Sequence, residues 1–136
     1  MSRDSRSAPR PLNARQRTGK RGEATARREL QRRGYEILES NFRTRQGEID
    51  IVARHRQQYV FVEVKARRGR RFGMPEEAVD ATKREHLIRA AQRYLQQIGE
   101  PDADWRIDVL AVEYDARGPQ RVELIESAIE AGSGSG

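Results

Sequence analysis

The strongest β-strand signal in the sequence is YVFVEVK, which runs from Tyr59 to Lys65. Nearly all of its side chains are β-branched or aromatic, and this composition is typical of a β-strand. Side chains alternate across a strand, so residues 59, 61, 63 and 65 share one face, while the valines at 60, 62 and 64 lie on the other. Because both faces carry large apolar groups, we expect this strand to be central and largely buried.

The segments on either side of this strand complete an α/β pattern. We predict helices over residues 18–33 and from Pro75 to Gly99, and strands over residues 35–40, 48–53, 59–65, 105–112 and 121–125. Glycine stands at the end of each predicted helix, as expected of a C-terminal cap. The order α-β-β-β-α-β-β predicts an α/β fold with one mixed sheet flanked by helices.

The composition excludes several classes of protein. The chain has 136 residues, which fits one domain, and its 35% hydrophobic residues suffice for one modest core. It has no cysteine, which excludes disulfides, thiol nucleophiles and cysteine-bound zinc, and its two histidines leave little for a histidine-rich metal site. No apolar run reaches membrane-spanning length, and no signal-peptide core follows the N-terminus. We therefore expect a soluble, cytoplasmic protein with no membrane partner.

The net charge of +6 is unevenly distributed along the chain. Residues 1–21 contain seven basic residues and one acidic residue, whereas residues 22–136 contain 20 of each sign. Basic residues are in excess over residues 22–99, and acidic residues are in excess over residues 100–136. A basic surface attracts phosphate-bearing partners, although an arginine-rich surface can also serve only to solvate a protein.

Composition divides the chain into three parts. Residues 1–17 are rich in arginine, serine and proline and are predicted to form a disordered basic arm. Residues 18–127 carry the predicted helices and strands and form the folded domain. Residues 128–136 end in a Gly-Ser repeat and are predicted to form a flexible tail.

A hairpin is predicted to bring acidic side chains together on the second and third strands. Pairing Arg54 with Tyr59 leaves a four-residue loop over residues 55–58, which is a common hairpin length. The same register places Asp50 opposite Glu63. Cross-strand neighbours lie about 5 Å apart at Cβ, so these two carboxylates are predicted to share one small region of the sheet.

The proximity of these carboxylates requires a compensating group. Two carboxylates about 5 Å apart repel each other by roughly 3 kcal/mol at an effective dielectric of about 20. Solvent can screen Asp50 and Glu63, one of them can be protonated, or a cation can lie between them. The same register places Glu48 opposite Lys65, so an ammonium group is also expected nearby. Oxygen ligands with room for water are typical of Mg²⁺ or Mn²⁺ sites. We therefore favour a metal site here over the alternative, a solvated polar face of the hairpin.

Other polar residues each allow two interpretations. Glu23 lies on the face that the first helix buries, but a glutamate near a helix start can also complement the helix dipole. Lys83 can point into the site or bury only its stem. Asp108 is interpreted as a buried hydrogen-bond acceptor rather than a catalytic residue. We expect His55 and His86 to be surface residues.

These residues resemble a known pattern. Asp50, twelve intervening residues and then Glu63-Val64-Lys65 resemble the PD-(D/E)xK signature of the restriction-endonuclease-like superfamily, with Ile49 in place of its proline. The wider chain is similar to the YraN family of bacterial proteins. The segments that carry this resemblance are GKRGEA at 19–24, NFR at 41–43, GEID at 47–50, FVEVK at 61–65 and RIDV at 106–109.

The resemblance implies a fold and an activity. It implies a restriction-endonuclease-like core, similar to that of Holliday-junction resolvases, and a metal-dependent nuclease that hydrolyses phosphodiester bonds in nucleic acid. DNA is the expected substrate in preference to RNA, with branched DNA in repair or recombination as one candidate. Because resolvase-like relatives act on two strands, the resemblance also allows a homodimer.

The resemblance further implies residue roles. Asp50 and Glu63 would hold Mg²⁺ or Mn²⁺, with the Val64 carbonyl as a third ligand. Lys65 would orient or help deprotonate the attacking water and stabilise charge on the phosphate. Glu23 would bind a metal ion through water or hold a second ion.

Basic residues around this site are candidate contacts to nucleic acid. They are Arg21, Arg43, Arg67, Arg68, Arg70, Arg71 and Lys83. The arginines at 67–71 directly follow Lys65, which favours a role facing the substrate over a solvated loop. Two other functions remain as alternatives: a non-catalytic nucleic-acid-binding module, and a protein-interaction factor that uses the acidic C-terminal end.

Overall fold

The computed structural model describes residues 14–68 and 81–130, with side chains described for residues 22–67 and 81–129. The helices and strands in this part of the chain are α1 Ala14–Arg32, β1 Glu36–Arg43, β2 Glu48–His55, β3 Gln58–Arg68, α2 Ala81–Gln97, β4 Trp105–Asp115 and β5 Gly118–Glu130. The predicted order α-β-β-β-α-β-β is confirmed.

The strand predicted to be central, β3, lies in the middle of a five-stranded sheet ordered β1-β2-β3-β4-β5. It pairs antiparallel with β2 and parallel with β4, and the two outer pairs are antiparallel. A parallel pair needs a crossover connection, and α2 lies in the segment that joins β3 to β4. The predicted mixed sheet is therefore confirmed, and it is consistent with a restriction-endonuclease-like core.

A helix packs on each face of this sheet. Leu30 of α1 is fully buried in one apolar cluster with Val62 of β3, on what we call the α1 face. Leu87 of α2 is buried in a second cluster with Phe61 of β3, on the α2 face. The alternation predicted for β3 is thus confirmed, and each such side chain contributes about 1.5–3 kcal/mol through burial. Within the described ranges, neither helix combines the length and the apolarity that crossing a lipid bilayer demands.

A glycine sets the close contact between α1 and the sheet. A Cβ atom on Gly22 would lie 2.9 Å from the Cβ of Ala66 in β3, which is too close for two carbon atoms. The absence of a side chain at Gly22 therefore allows α1 to approach β3 at this point. Glu23, a predicted site residue, is the next residue along the helix.

Several boundaries differ from the prediction. Helix α1 begins at Ala14, so residues 14–17 are helical although they were assigned to the basic arm. Alanine, arginine and glutamine favour helices, and this propensity extends α1 beyond its apolar stripe. Residues 128–130 belong to β5, although they were assigned to the tail. Pro75, the arm before residue 14 and the tail after residue 130 lie outside the described residues.

Strand β5 is longer than predicted because a bulge lets it continue past Ile125. Its pairing with β4 shifts between Ile107 and Val109, and Ser127 adopts a positive φ of 55° at this point. The backbone amide of Ser127 donates to Oδ1 of Asp108 at 2.9 Å. A side chain of the neighbouring strand thus satisfies the bulged amide, a contact that strand periodicity does not reveal.

Candidate functional site

The hairpin between β2 and β3 has the predicted register. Arg54 pairs with Tyr59, as expected. The predicted four-residue loop is wrong, because only Arg56 and Gln57 lie between the two strands. These residues have φ values of 54° and 68°, and positive φ at both positions is typical of a two-residue hairpin turn.

Asp50 lies one residue beyond the paired segment that ends with Ile51 and Val62. Its Oδ2 atom accepts a hydrogen bond from the backbone amide of Val64 at 2.8 Å. A hydrogen bond to an ionised acceptor is stronger than one between neutral groups. The side chain of Asp50 therefore links β2 to β3 here and is held in a defined position beside the second carboxylate.

Glu63 is a buried carboxylate in contact with two lysines. Its side chain is 5% exposed, and its Oε2 atom lies 3.4 Å from Nζ of Lys65 and 3.0 Å from Nζ of Lys83. Lys65 comes from the same strand, whereas Lys83 comes from α2. Lys83 was a candidate contact to nucleic acid, and the structure places its ammonium group against a predicted metal ligand.

The environment of Asp50 disfavours its ionised form. Burial, followed by the negative charges of Glu63, Glu23 and Glu48, raises the pKa of Asp50 to about 7. The hydrogen bond from Val64 lowers the pKa but does not cancel these effects. Three acidic residues are thus close enough to influence this carboxyl group: Glu23 of α1, Glu48 of β2 and Glu63 of β3.

The same negative charge acts on Lys83 in the opposite direction. Burial lowers the pKa of this lysine, but Glu63, Asp50 and Glu48 outweigh burial and raise the pKa above its usual value. Lys83 therefore stays protonated. Its charge offsets part of the excess negative charge of the site.

Asn41 connects two acidic residues around the site, and the sequence interpretation assigned it no role. With its amide nitrogen turned toward the carboxylates, Asn41 donates to Oε2 of Glu23 and to Oε2 of Glu48, each at 3.2 Å. Its backbone has a positive φ of 57°, a conformation that asparagine tolerates better than most residues. The asparagine in NFR could have signalled this conformation, but the two contacts join three elements and need the tertiary structure.

The structure thus brings together the predicted catalytic residues. Asp50, Glu63 and Lys65 lie at the β2–β3 junction, and Glu23 of α1 influences the pKa of Asp50. Within residues 22–67 and 81–129, no three acidic or histidine side chains form a group ready to hold a metal ion. The metal ligands, including the Val64 carbonyl, accordingly stay a prediction.

The structure describes three of the seven predicted nucleic-acid contacts. Arg43 is 77% exposed, with its Nε atom 3.6 Å from Oε2 of Glu48. Arg67 is half-buried in β3 and pairs in register with Glu113 of β4, and Lys83 contacts Glu63 as described above. The side chains of the other four, which are Arg21, Arg68, Arg70 and Arg71, lie outside the described residues.

A second ionic group surrounds Asp108, which is fully buried as predicted. Its carboxylate accepts from Nε of Arg106 at 2.9 Å and from the hydroxyl of Tyr35 at 2.8 Å. The amide of Ser127 is a third donor. These donors satisfy the carboxylate within the fold, so Asp108 is a buried hydrogen-bond acceptor.

The expectation that His55 is a surface residue is wrong, whereas His86 is exposed as predicted. The His55 ring stacks on Tyr35 with 3.9 Å between ring centroids, and its Nδ1 atom lies 3.0 Å from Nη2 of Arg106. Burial, followed by the positive charge of Arg106, lowers the pKa of His55. A polar turn follows His55 in the sequence, and for this reason the sequence pattern predicts an exposed ring. In the structure the ring is buried against Tyr35 instead.

Comparisons with known proteins identify the family of this chain. The profile described as "Uncharacterised protein family UPF0102" matches residues 22–112. A UPF0102 protein of Symbiobacterium thermophilum is 45% identical over 115 residues, which cover 85% of this chain and 98% of that protein. A UPF0102 protein of Desulforapulum autotrophicum is 42% identical over 118 residues, which cover 87% and 97% of the two chains. The chain therefore belongs to the UPF0102 family, also called YraN.

Proposed function

We propose that this protein is a metal-dependent nuclease that hydrolyses phosphodiester bonds in nucleic acid, with Mg²⁺ or Mn²⁺ as its cofactor and DNA as its preferred substrate. The excess of negative charge at Asp50 carries the proposal. Burial and neighbouring glutamates raise the pKa of this carboxyl group to about 7. A carboxylate in such surroundings ionises readily when a cation binds beside it, and perturbed groups of this kind are typical of functional sites.

The donor atoms of the site suit a hard divalent ion. Asp50 and Glu63 offer carboxylate oxygens, and Val64 offers a backbone carbonyl between Glu63 and Lys65. Mg²⁺ is commonly bound through one or two carboxylates, with water in its other positions. A site of two carboxylates completed by a carbonyl and water fits this chemistry without a third acidic side chain. Glu23 is the candidate for contact through water.

Each residue has a defined task in this proposal. The metal ion, when bound, would neutralise charge on the phosphate and lower the pKa of a bound water. The Val64 amide holds Asp50 in place, and the two lysines hold Glu63. Lys65 is the candidate to orient the attacking water, and its ammonium group would stabilise negative charge on the phosphate.

One observation favours a second function, a nucleic-acid-binding module without catalysis. Lys65 and Lys83 both contact Oε2 of Glu63, so the protein itself supplies part of the charge that a metal ion would supply. If these ion pairs persist in solution, Glu63 is neutralised and unavailable as a ligand. The two functions therefore differ in whether Mn²⁺ displaces lysine from this carboxylate.

The decisive experiment measures cleavage of branched and linear DNA, and of RNA, with and without Mg²⁺. We expect Mg²⁺-dependent cleavage that Glu63→Ala or Lys65→Ala lowers by at least about 10²-fold, the scale expected when one electrostatic contact to the transition state is lost. Glu85→Ala, which removes an exposed acid on α2, is the matched control and should retain activity. A homodimer, which the resemblance to resolvases allows, would be tested separately by sedimentation of each protein with and without DNA.

Binding of Mn²⁺, followed by electron paramagnetic resonance, separates the two functions. The nuclease proposal requires Mn²⁺ binding that Asp50→Ala abolishes. DNA binding without Mn²⁺ binding or cleavage would support the non-catalytic module instead. Cleavage that survives both Glu63→Ala and Lys65→Ala would contradict the proposed mechanism.

A further inference from the structure

A polar pocket lies between the β1–β2 turn and the C-terminal half of α2. It encloses about 420 Å³ and is lined by Arg43, Thr44, Arg45, Gln46, Arg93 and Gln97. This volume falls within the about 300–1,000 Å³ of small-ligand sites, so a nucleotide-sized group fits. Three of the six lining side chains are arginines and none is apolar, which favours an anionic ligand over an apolar one.

The turn that forms one wall of the pocket is held by its own hydrogen bonds. Oγ1 of Thr44 accepts from the amides of Gln46 and Gly47, each at 3.0 Å, and donates to the carbonyl of Gly47 at 3.0 Å. The amide of Thr44 donates to the same carbonyl at 2.8 Å. Arg45 is thus presented from a closed turn with a defined backbone.

Close packing holds this turn against α2. A Cβ atom on Gly47 would lie 3.1 Å from the Cβ of His86, a distance tighter than nearly all real contacts of this kind. The turn and the helix therefore touch at Gly47, and a side chain there would require one of them to shift by a few tenths of an ångström. This contact holds the turn that carries Arg45 beside the helix that carries Arg93.

The arginines of the pocket retain their charge. Among the described residues, neither Arg45 nor Arg93 has a carboxylate partner, whereas Arg32, Arg89 and Arg106 each pair with an acidic residue. The guanidinium group is always protonated and presents a planar fork of N–H donors that matches phosphate oxygens. Because Arg43 lies 3.6 Å from Glu48, Arg45 and Arg93 are the two guanidinium groups best placed to select phosphate over a neutral ligand.

The geometry points to a binding site for a backbone phosphate of nucleic acid in this pocket, formed by Arg43, Arg45 and Arg93. This inference rests on the proposed function for the identity of the strand. Arg43 joins the two sites, because its guanidinium group lies 3.6 Å from Glu48, whose charge raises the pKa of Asp50. A strand held in the pocket would continue toward the carboxylates, so the pocket would position the substrate rather than take part in the chemistry.

Fluorescence anisotropy of a short labelled duplex DNA, in EDTA and over a range of salt concentrations, tests this site. We expect Arg45→Ala/Arg93→Ala to weaken binding at least about tenfold and to reduce the log–log salt slope by about 1.8, because each phosphate contact contributes about 0.9. Arg28→Ala/Arg117→Ala is the matched control, since it removes the same charge from residues that do not line the pocket. It should leave the slope nearly unchanged.

A variant that keeps the charge tests the shape of the pocket. Gly47→Ala should push the turn away from α2 and weaken binding, although every arginine is retained. Equal loss of binding in the two double variants would overturn the phosphate site, because bulk charge would then explain the effect. Competition by polyglutamate as strong as competition by unlabelled duplex would also overturn it.

The outcomes for this site and for the nuclease proposal are distinct. Binding in EDTA that depends on Arg45 and Arg93 supports the pocket even if no DNA is cleaved. Metal-dependent cleavage with unchanged binding and KM in the Arg45→Ala/Arg93→Ala variant supports the nuclease and overturns the pocket.

Discussion

Two groups of polar and charged side chains in this protein each contain an aspartate and differ in how its charge is balanced. The carboxylate site consists of Asp50, Glu63, Lys65 and Lys83, and the arginine network consists of Tyr35, His55, Arg106 and Asp108. In the network, one arginine pairs with one carboxylate, the hydroxyl of Tyr35 contacts both of them, and His55 contacts the arginine. In the carboxylate site, acidic groups accumulate around Asp50, and the pKa of this residue rises to about 7.

This difference distinguishes the roles of the two aspartates, of which Asp108 is fully buried and Asp50 is half-buried. Asp108 has three donors in fixed geometry, and a fully satisfied polar network makes a core more specific and more rigid. Asp50 has one backbone donor and several acidic neighbours, so its ionised form is unfavourable without an added cation. We interpret the first as structural, and the second is the carboxylate on which the proposed metal site depends.

The largest effect is expected from breaking the arginine network. Asp108→Ala should lower the free energy of unfolding by about 3–5 kcal/mol, because it leaves the buried charge of Arg106 without its carboxylate. Urea denaturation measures this change. Asp115→Ala, at the exposed β4–β5 turn, should leave the midpoint nearly unchanged. A similar loss in both variants would remove the distinction between a buried network and a surface acid.

The opposite sign is expected at the carboxylate site. In metal-free buffer above pH 7, Asp50→Asn should raise the free energy of unfolding by about 1–3 kcal/mol, because it removes a charge that burial and Glu63 disfavour. The asparagine oxygen can still accept the hydrogen bond from Val64. Destabilisation by this variant would mean that the site is balanced without a cation, and the contrast with Asp108 would fail.

The smallest effect is a dependence of stability on pH that arises from His55. Its pKa is lowered in the folded protein, so the unfolded chain binds a proton more readily at pH values between the lowered pKa and about 6.5. The contribution of His55 to stability should therefore fall as the pH falls through this range, whereas the raised pKa of Asp50 gives a contribution of the opposite sign. His55→Phe retains a ring against Tyr35 and should remove this contribution, so that the slope of unfolding free energy against pH becomes more negative in this range.

A His86→Phe variant is the control for this pH dependence. His86 is exposed on α2, so replacing it should leave the slope between pH 5 and 7 as it is in the natural sequence. An unchanged slope in His55→Phe would show that His55 does not titrate differently in the folded and unfolded states.

Much of the sheet could be predicted from alternation alone. The register of β2 against β3 follows from one pairing, Arg54 with Tyr59, and this register correctly places Glu63 near Asp50. The ends of the outer elements were harder to predict. The first turn of α1 carries no apolar stripe, and β5 passes through a bulge at Ser127 that depends on Asp108 of another strand.

The acidic residues of the site could be predicted from the sequence, but the contacts that connect them to other elements could not. The pair of carboxylates is visible in the spacing of Asp50 and Glu63, because both belong to one hairpin. The contact of Lys83 with Glu63 joins α2 to β3, and the contacts of Asn41 join β1 to α1 and β2. Contacts between segments that are far apart along the chain leave no periodic pattern in the sequence, so they could not be predicted from it.

The sequence pattern alone predicts the order of helices and strands, the two faces of β3 and the proximity of Asp50 to Glu63. These features follow from backbone geometry, since side chains alternate along a strand and a hairpin aligns its two arms. Other features depend on how the elements pack: Lys83 pairs with Glu63, His55 is buried, and Arg45 and Arg93 line one pocket. The reason is that helix packing on the sheet sets these distances, and packing depends on the shapes of all the side chains in the core.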